Sequence, residues 1–301
     1  MKTTRREFIR TSTLAMAGAV LLAKAGCSSG RNRNIVTAAQ LYCVRDDMRQ
    51  DPLGSITKIA EMGYTHVEHA NYVDHKFYGY SPSEFRSILD DLGLRMPSGH
   101  TVFGPNHWDG QAGDFTDDWK KLVENAAYVG QEYVVSPWMD PRMYATYDEY
   151  MKNMEVFNKC GELCQRHGMR FGYHNHDFEF TETLRGETIF DLMMKNTDAD
   201  KVVLQLDTGN MYVAGARAVD VLSRYPGRYD NIHVKDMIRR DDDRYESTIL
   251  GKGLVGVREA TDLARDTGTT LFVIEQEAYQ GRTPMDCMEE NLAIMRSWGY
   301  A

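Results

Sequence analysis

Downstream of residue 34, short runs of β-branched and aromatic residues alternate with longer stretches of helical period, and this alternation restricts the possible folds more than any other feature of the chain. The strand-like runs fall at 36–42, 65–69, 95–100, 133–136, 170–174, 202–207, 231–234 and 270–275. Helical patterns lie between them, at 52–62, 81–92, 119–129, 147–167, 188–195, 219–225, 254–267 and 283–298. Helix stop signals recur before the strands, at Gly63, Gly93, Gly130, Gly168 and Gly268. Strands separated by helices pair in parallel, because each needs a crossover to return. Eight such units predict a closed (β/α)8 TIM barrel forming one α/β domain over residues 34–301. An open doubly wound sheet would carry a glycine-rich phosphate loop after an early strand. Here the first strand runs instead into Tyr42-Cys43-Val44-Arg45-Asp46, and Gly251-Lys252-Gly253 comes late and outside such a context. The charge run from Arg239 to Arg244 reads as a solvated loop.

Residues 1–33 are read as an export segment and short linker. Thr4-Arg5-Arg6-Glu7-Phe8-Ile9-Arg10 is similar to the bacterial twin-arginine signal, and an Ala-rich apolar run from Leu14 to Ala23 follows it. Two processing patterns compete: Ala23-Lys24-Ala25 suits ordinary signal peptidase, and Ala25-Gly26-Cys27-Ser28-Ser29 resembles a lipobox that would acylate Cys27, although Lys24 stands where leucine is usual. The expectation is export to the periplasm or envelope, with membrane attachment only through a lipid on Cys27. Losing Lys2, Arg5, Arg6, Arg10, Lys24 and Glu7 takes the net charge from −9 to −13. So acidic a chain has no field to attract phosphate backbones, and nucleic acid is a poor partner. Cys43, Cys160, Cys164 and Cys287 show neither CxxC nor Cys/His metal spacing and read as buried free thiols.

In a barrel the reactive groups close the strands at their C-terminal ends. Those residues are Glu68 and His69, His100, Trp138, His174 and His176, Asp207, His233, and Glu275 with Glu277. Asp, His and Glu closing three successive strands are hard to attribute to packing, since buried charge is costly unless paired or coordinated. His66, His75, His107 and His167 read as ordinary core or surface histidines. Tyr42, Phe103, Trp138, Phe178, Tyr212 and Tyr279 are candidate stacking faces for a pyranose, with about half expected in the core. Arg217, Arg240 and Arg282 are isolated, and no phosphate cradle is evident.

Four segments carry a family resemblance: Phe171-Gly172-Tyr173-His174-Asn175-His176-Asp177-Phe178-Glu179-Phe180, Leu206-Asp207-Thr208-Gly209-Asn210, Ile232-His233-Val234-Lys235-Asp236 and Val273-Ile274-Glu275-Gln276-Glu277. In order and spacing they resemble the sugar phosphate isomerase/epimerase family of xylose-isomerase-like barrels. The resemblance implies one divalent ion held by Glu, Asp, His and Glu on strands five to eight. Asp207, His233 and Glu275 match the last three. At the first position His174 stands where the family has Glu, so the first ligand is Glu179 from the following loop or His174 itself. A mixed imidazole and carboxylate set suits Mn²⁺, Co²⁺ or Zn²⁺.

In the epimerases of that family two metal-bound glutamates pass a proton between the faces of one carbon. With His174 in place of one of them the symmetric pair is broken, and a single base, Glu275 or a histidine, would remove the proton. From their placement at the strand ends, Glu275 is expected beside that carbon, His174 or His176 as the second acid or base, and His100, Trp138, Lys235 and Glu277 as substrate-binding residues. Reprotonation gives isomerisation or epimerisation of an unphosphorylated keto-sugar. Loss of a β-oxygen gives the alternative, a lyase or hydratase acting on a 3-keto-glycoside. A non-catalytic sugar-binding lipoprotein is the reading from another class, and the ionisable cluster speaks against it. A multi-zinc endonuclease of the same fold would need more metal histidines and a basic face.

Overall fold

The computed structural model describes residues 35–301, so the export signal and Cys27 lie outside the described residues. Eight parallel strands close a barrel: β1 (Val36–Gln40), β2 (His66–His69), β3 (Arg95–His100), β4 (Tyr133–Ser136), β5 (Arg170–His174), β6 (Val202–Asp207), β7 (Asn231–Val234) and β8 (Leu271–Ile274). Each pairs with its neighbours in sequence, and β8 returns to β1 through Val36↔Leu271 to Ala39↔Ile274. The outer helices are α1 (Pro52–Glu61), α2 (Pro82–Asp91), α3 (Asp117–Val129), α4 (Tyr147–Arg166), α5 (Ile189–Asn196), α6 (Ala218–Arg224), α7 (Val257–Thr267) and α8 (Pro284–Trp298).

Local chemistry sets the boundaries. Before α2, Ser81 and Glu84 form a reciprocal capping box ahead of Pro82, whose missing N–H costs nothing at a helix start. At the end of α3, Gly130 takes φ 95°, a left-handed turn that releases the chain toward β4. The first strand is shorter than the sequence predicts: the Gln40 side chain accepts the Tyr42 N–H and turns Leu41–Val44 into a 3₁₀ helix.

Strand period two divides the interior into layers. Val36, Ala38, Tyr133, Val135, Val203, Leu271 and Val273 fill the lower barrel. A second core, including Phe103, Trp119, Phe157 and Phe171 in edge-to-face contact, packs between strands and helices. Above the apolar layers the inward positions become polar, and in-register pairs align them: Gln40 with Glu68, His174 with Gln205, and Asp207 with His233.

Small two-stranded hairpins follow β2, β3, β5 and β7 at this polar end, and the sequence reading misses them because three have strands of only two residues. The predicted Arg239–Arg244 charge run forms the exposed turn of the last one, Asp236–Arg239 with Tyr245–Thr248. Cys43, Cys160, Cys164 and Cys287 are free and buried. Among the described residues no helix is long and apolar enough to cross a membrane.

Candidate metal centre

Four side chains from four consecutive strands converge at the top of the barrel. His174, Asp207, His233 and Glu275 each offer one ligand atom, all within 4.8 Å of one another, and all four are buried. Of the two candidates for the first position, His174 lies in this group and Glu179 does not. Glu179 is buried elsewhere, accepting the Tyr173 hydroxyl at 2.5 Å and the His176 N–H at 2.8 Å. Its position on the short helix Phe178–Thr181 turns the carboxylate back toward the strand wall. Burial raises its pKa to about 7, against the hydrogen bonds, which lower it.

A second set of residues fixes the orientation of the first. Glu68 Oε1 accepts His233 Nε2–H at 2.6 Å and the Gln40 amide at 2.7 Å, while Glu68 Oε2 accepts the Gln205 amide at 2.8 Å. Gln205 Oε1, which can only accept, lies 2.6 Å from His100 Nε2 and 3.1 Å from His174 Nδ1. The network therefore assigns the proton of His174 to Nδ1 and leaves Nε2 facing Asp207 Oδ2 at 3.8 Å. By the same logic His233 is anchored through Nε2 and turns Nδ1 to Glu275. Imidazoles held at one nitrogen by a carboxylate or amide, with the other directed inward, are the usual arrangement of metal-binding histidines.

The charges do not balance by themselves. Lys235 bonds Glu277 and Asn210, with Nζ 3.7 Å from Asp207 and 3.6 Å from Glu275. Burial opposes a charge on His233, but Glu68 and Glu275 on either side raise its pKa to about 10. Burial likewise opposes ionisation of Glu68, yet His100 and His233 bring it to about 2. Two cationic groups thus face the carboxylates of Glu68, Asp207, Glu275 and Glu277. The shortfall falls on Asp207: burial raises it to about 7 despite Lys235, and its Oδ2 has no hydrogen-bond partner. An orphaned buried carboxylate oxygen inside a ring of nitrogen and oxygen donors fits a divalent cation.

Over the quartet opens a cavity of about 680 Å³. His100, His174, His176, Glu275 and Glu277 line its inner end. His176 Nδ1 has no partner, and burial lowers the ring's pKa, so a neutral imidazole faces the cavity. Among the predicted stacking residues, Tyr42 lines the cavity. Trp138 does not; its neighbour Pro137 does. Phe103 packs on Trp119, Phe178 stacks on Tyr144, Tyr212 meets Tyr245, and Tyr279 donates to the Cys43 carbonyl. His75 and His107, read from sequence as ordinary histidines, line the outer cavity. Gln40 and Gln205 are absent from the sequence reading; their signal is position alone, on the inward period of β1 and β6.

Residues 56–298 match the model of the xylose isomerase-like TIM barrel family. An inosose dehydratase of Clostridium perfringens is 27% identical over 185 residues, covering 60% of this chain and 61% of the relative. The chain thus aligns with about three fifths of that enzyme's length. A crystal structure of a sugar phosphate isomerase/epimerase from Parabacteroides distasonis superposes with a TM-score of 0.77 at 26% identity, covering 90% of this chain and 96% of the other. An L-ribulose 3-epimerase superposes with a TM-score of 0.66 over 88% and 94% of the two chains; at 11% identity that likeness is one of fold.

Proposed function

Because the chain belongs to the xylose isomerase-like TIM barrel family, we propose that it is a divalent-metal-dependent sugar isomerase or epimerase that removes a proton next to the carbonyl of an unphosphorylated keto-sugar. The observation that carries this reading is the unpartnered Asp207 Oδ2 within the His174, Asp207, His233 and Glu275 quartet. Those four residues would hold the ion, and a mixed nitrogen and oxygen donor set favours Mn²⁺, Co²⁺ or Zn²⁺ over Ca²⁺. When bound, a divalent ion supplies Lewis-acid polarisation of the ketone.

The remaining chemistry belongs to side chains. Glu275 lines the cavity, and Lys235 and His233 hold its pKa well below the usual range against the burial that opposes them. It is therefore ionised and placed to take the proton. His176, which lines the cavity with its pKa lowered by burial, is the group to return a proton from the other side; His174 is tied to Gln205. Glu277 lines the cavity and is placed to hold substrate hydroxyls, with Lys235 bonded to it from outside the lining. His100 faces the cavity with its ring nitrogens engaged, so its part is to position Glu68 and Gln205.

The lining supports an uncharged substrate: it includes Asp74, Asp118, Glu275 and Glu277 and neither lysine nor arginine. A phosphate there would meet like charge. The similarity to inosose dehydratases favours a second outcome, in which the same proton abstraction is followed by loss of a β-oxygen, as a lyase or hydratase of a 3-keto-glycoside would perform. The twin-arginine segment supports action outside the cytoplasm, with Cys27 as the point of lipid attachment if the lipobox is used.

Elemental analysis of the purified protein, Asp207→Ala and His233→Ala, with turnover of keto-sugars in each, tests the reading. About one divalent ion per chain in wild type, lost with turnover in folded variants, is the expected result. Metal content and turnover unchanged in both variants would refute it.

A further inference from the structure

The cavity extends well beyond the quartet. Taking the roughly 30 Å³ that a water occupies in the liquid as a generous share per atom, the about twelve heavy atoms of a hexose fill at most about 360 Å³. The 680 Å³ available is close to twice that. Beyond the quartet the lining continues along the hairpin after β2, with Tyr72, Asp74 and His75, and along Val102, His107 and Asp118.

This outer wall is built rather than merely exposed. Asp74 and His75 form the two-residue turn between Tyr72–Val73 and Lys76–Phe77, at φ 51° and 61°. Both residues sit in the left-handed region, which Asp and His tolerate better than most side chains. A directed chain of hydrogen bonds holds the turn in place. Asn125 of α3 can only donate its amide N–H to the Tyr72 hydroxyl, at 2.7 Å. Tyr72 then donates to His75 Nδ1 at 3.3 Å, which leaves His75 Nε2–H for Asp118 at 3.3 Å. Carboxylate and imidazole edges beside the apolar faces of Tyr72 and Val102 suit the hydroxyls and C–H face of a neutral sugar ring.

We propose that this hairpin and the start of α3 form a second sugar subsite, so that the substrate is a keto-sugar bearing a further sugar ring through a glycosidic bond. The inference rests on the reading of the quartet as the reacting centre: the ketose occupies the inner end, and the second ring lies between Tyr72 and Val102, with its hydroxyls on His75 and Asp118.

Calorimetry on the Mn²⁺-loaded full chain would compare D-fructose with turanose, leucrose and isomaltulose, ketoses that carry an added glucosyl ring. At least one two-ring ketose should bind tenfold or more tightly than fructose. His75→Asn, which keeps a residue tolerant of the left-handed turn, and Asp118→Asn should each remove most of that advantage while leaving fructose affinity within twofold. Equal binding of one-ring and two-ring ketoses, or variants that weaken both alike, overturns the second subsite and leaves the inner site standing. Failure of every ketose to bind overturns the reacting-centre reading and this inference with it.

Discussion

Glu68 on β2 and His233 on β7, strands separated in the barrel by β1 and β8, meet across its mouth at 2.6 Å between Oε1 and Nε2, both fully buried. This contact decides which nitrogen of His233 faces the quartet. Glu68→Gln should therefore weaken divalent-metal affinity about 10- to 100-fold although every ligand remains in place. A titration with Mn²⁺ or Co²⁺ checks this; wild-type affinity would mean that Glu68 does not orient His233.

Metal uptake should release protons. His233, with a pKa of about 10, and Asp207, at about 7, hold protons near neutral pH that a bound cation would displace. Apparent affinity should consequently rise with pH from about 6 to 9. Calorimetry in buffers of different ionisation enthalpy should register a net release; affinity that is flat across that range would contradict these protonation states.

Stability carries a separate signature, from Glu179. Its folded pKa of about 7 lies above the ordinary value of 4.5, because burial favours the neutral acid. The folded state therefore binds the proton more tightly, and the stabilisation is complete below about pH 4.5 and lost as pH rises through about 7. Glu179→Gln should flatten the decline of Tm over that window relative to wild type while leaving metal content unchanged. Loss of metal in this variant would return Glu179 to the ligand set.

Close packing makes another prediction. A Cβ on Gly99 of β3 would lie 2.0 Å from His69 Nε2 and 2.5 Å from the Gln131 amide nitrogen, both buried. Gly99→Ala should destabilise the barrel by about 1–3 kcal/mol, as overpacking usually does. Chemical denaturation measures it.

The N-terminal segment calls for a cellular assay. Replacing Arg5 and Arg6 with lysine should retain the protein in the cytoplasm. Fractionation that still finds it in the envelope would remove the twin-arginine reading.

The strand frame is legible in sequence because period two and helix stop signals are local, and Asp207, His233 and Glu275 stand out as charges closing apolar runs. Which of His174 and Glu179 lies with the other three is not legible, because it depends on where the chain turns after β5, and Glu179 bonds Tyr173 and the His176 N–H instead. Gln40 and Gln205 are neutral amides within strands, and only barrel closure shows that they meet Glu68. His75 is hidden for a similar reason: its partner Asp118 lies at the start of α3, more than forty residues later. Trp138, a conspicuous aromatic at a strand end, stands outside the cavity lining, and its backbone carbonyl accepts the Ser136 hydroxyl.

If Glu275, beside a metal held by His174, Asp207 and His233, takes the proton next to a ketone, the most direct test is hydrogen exchange on a ketose in deuterated water, followed by proton NMR at the carbon adjacent to the carbonyl. Metal-loaded wild type should exchange that hydrogen, Glu275→Gln should not, and His176→Ala should bind metal normally yet turn over far more slowly. Exchange at the wild-type rate in Glu275→Gln would contradict the assignment and place the base elsewhere in the barrel.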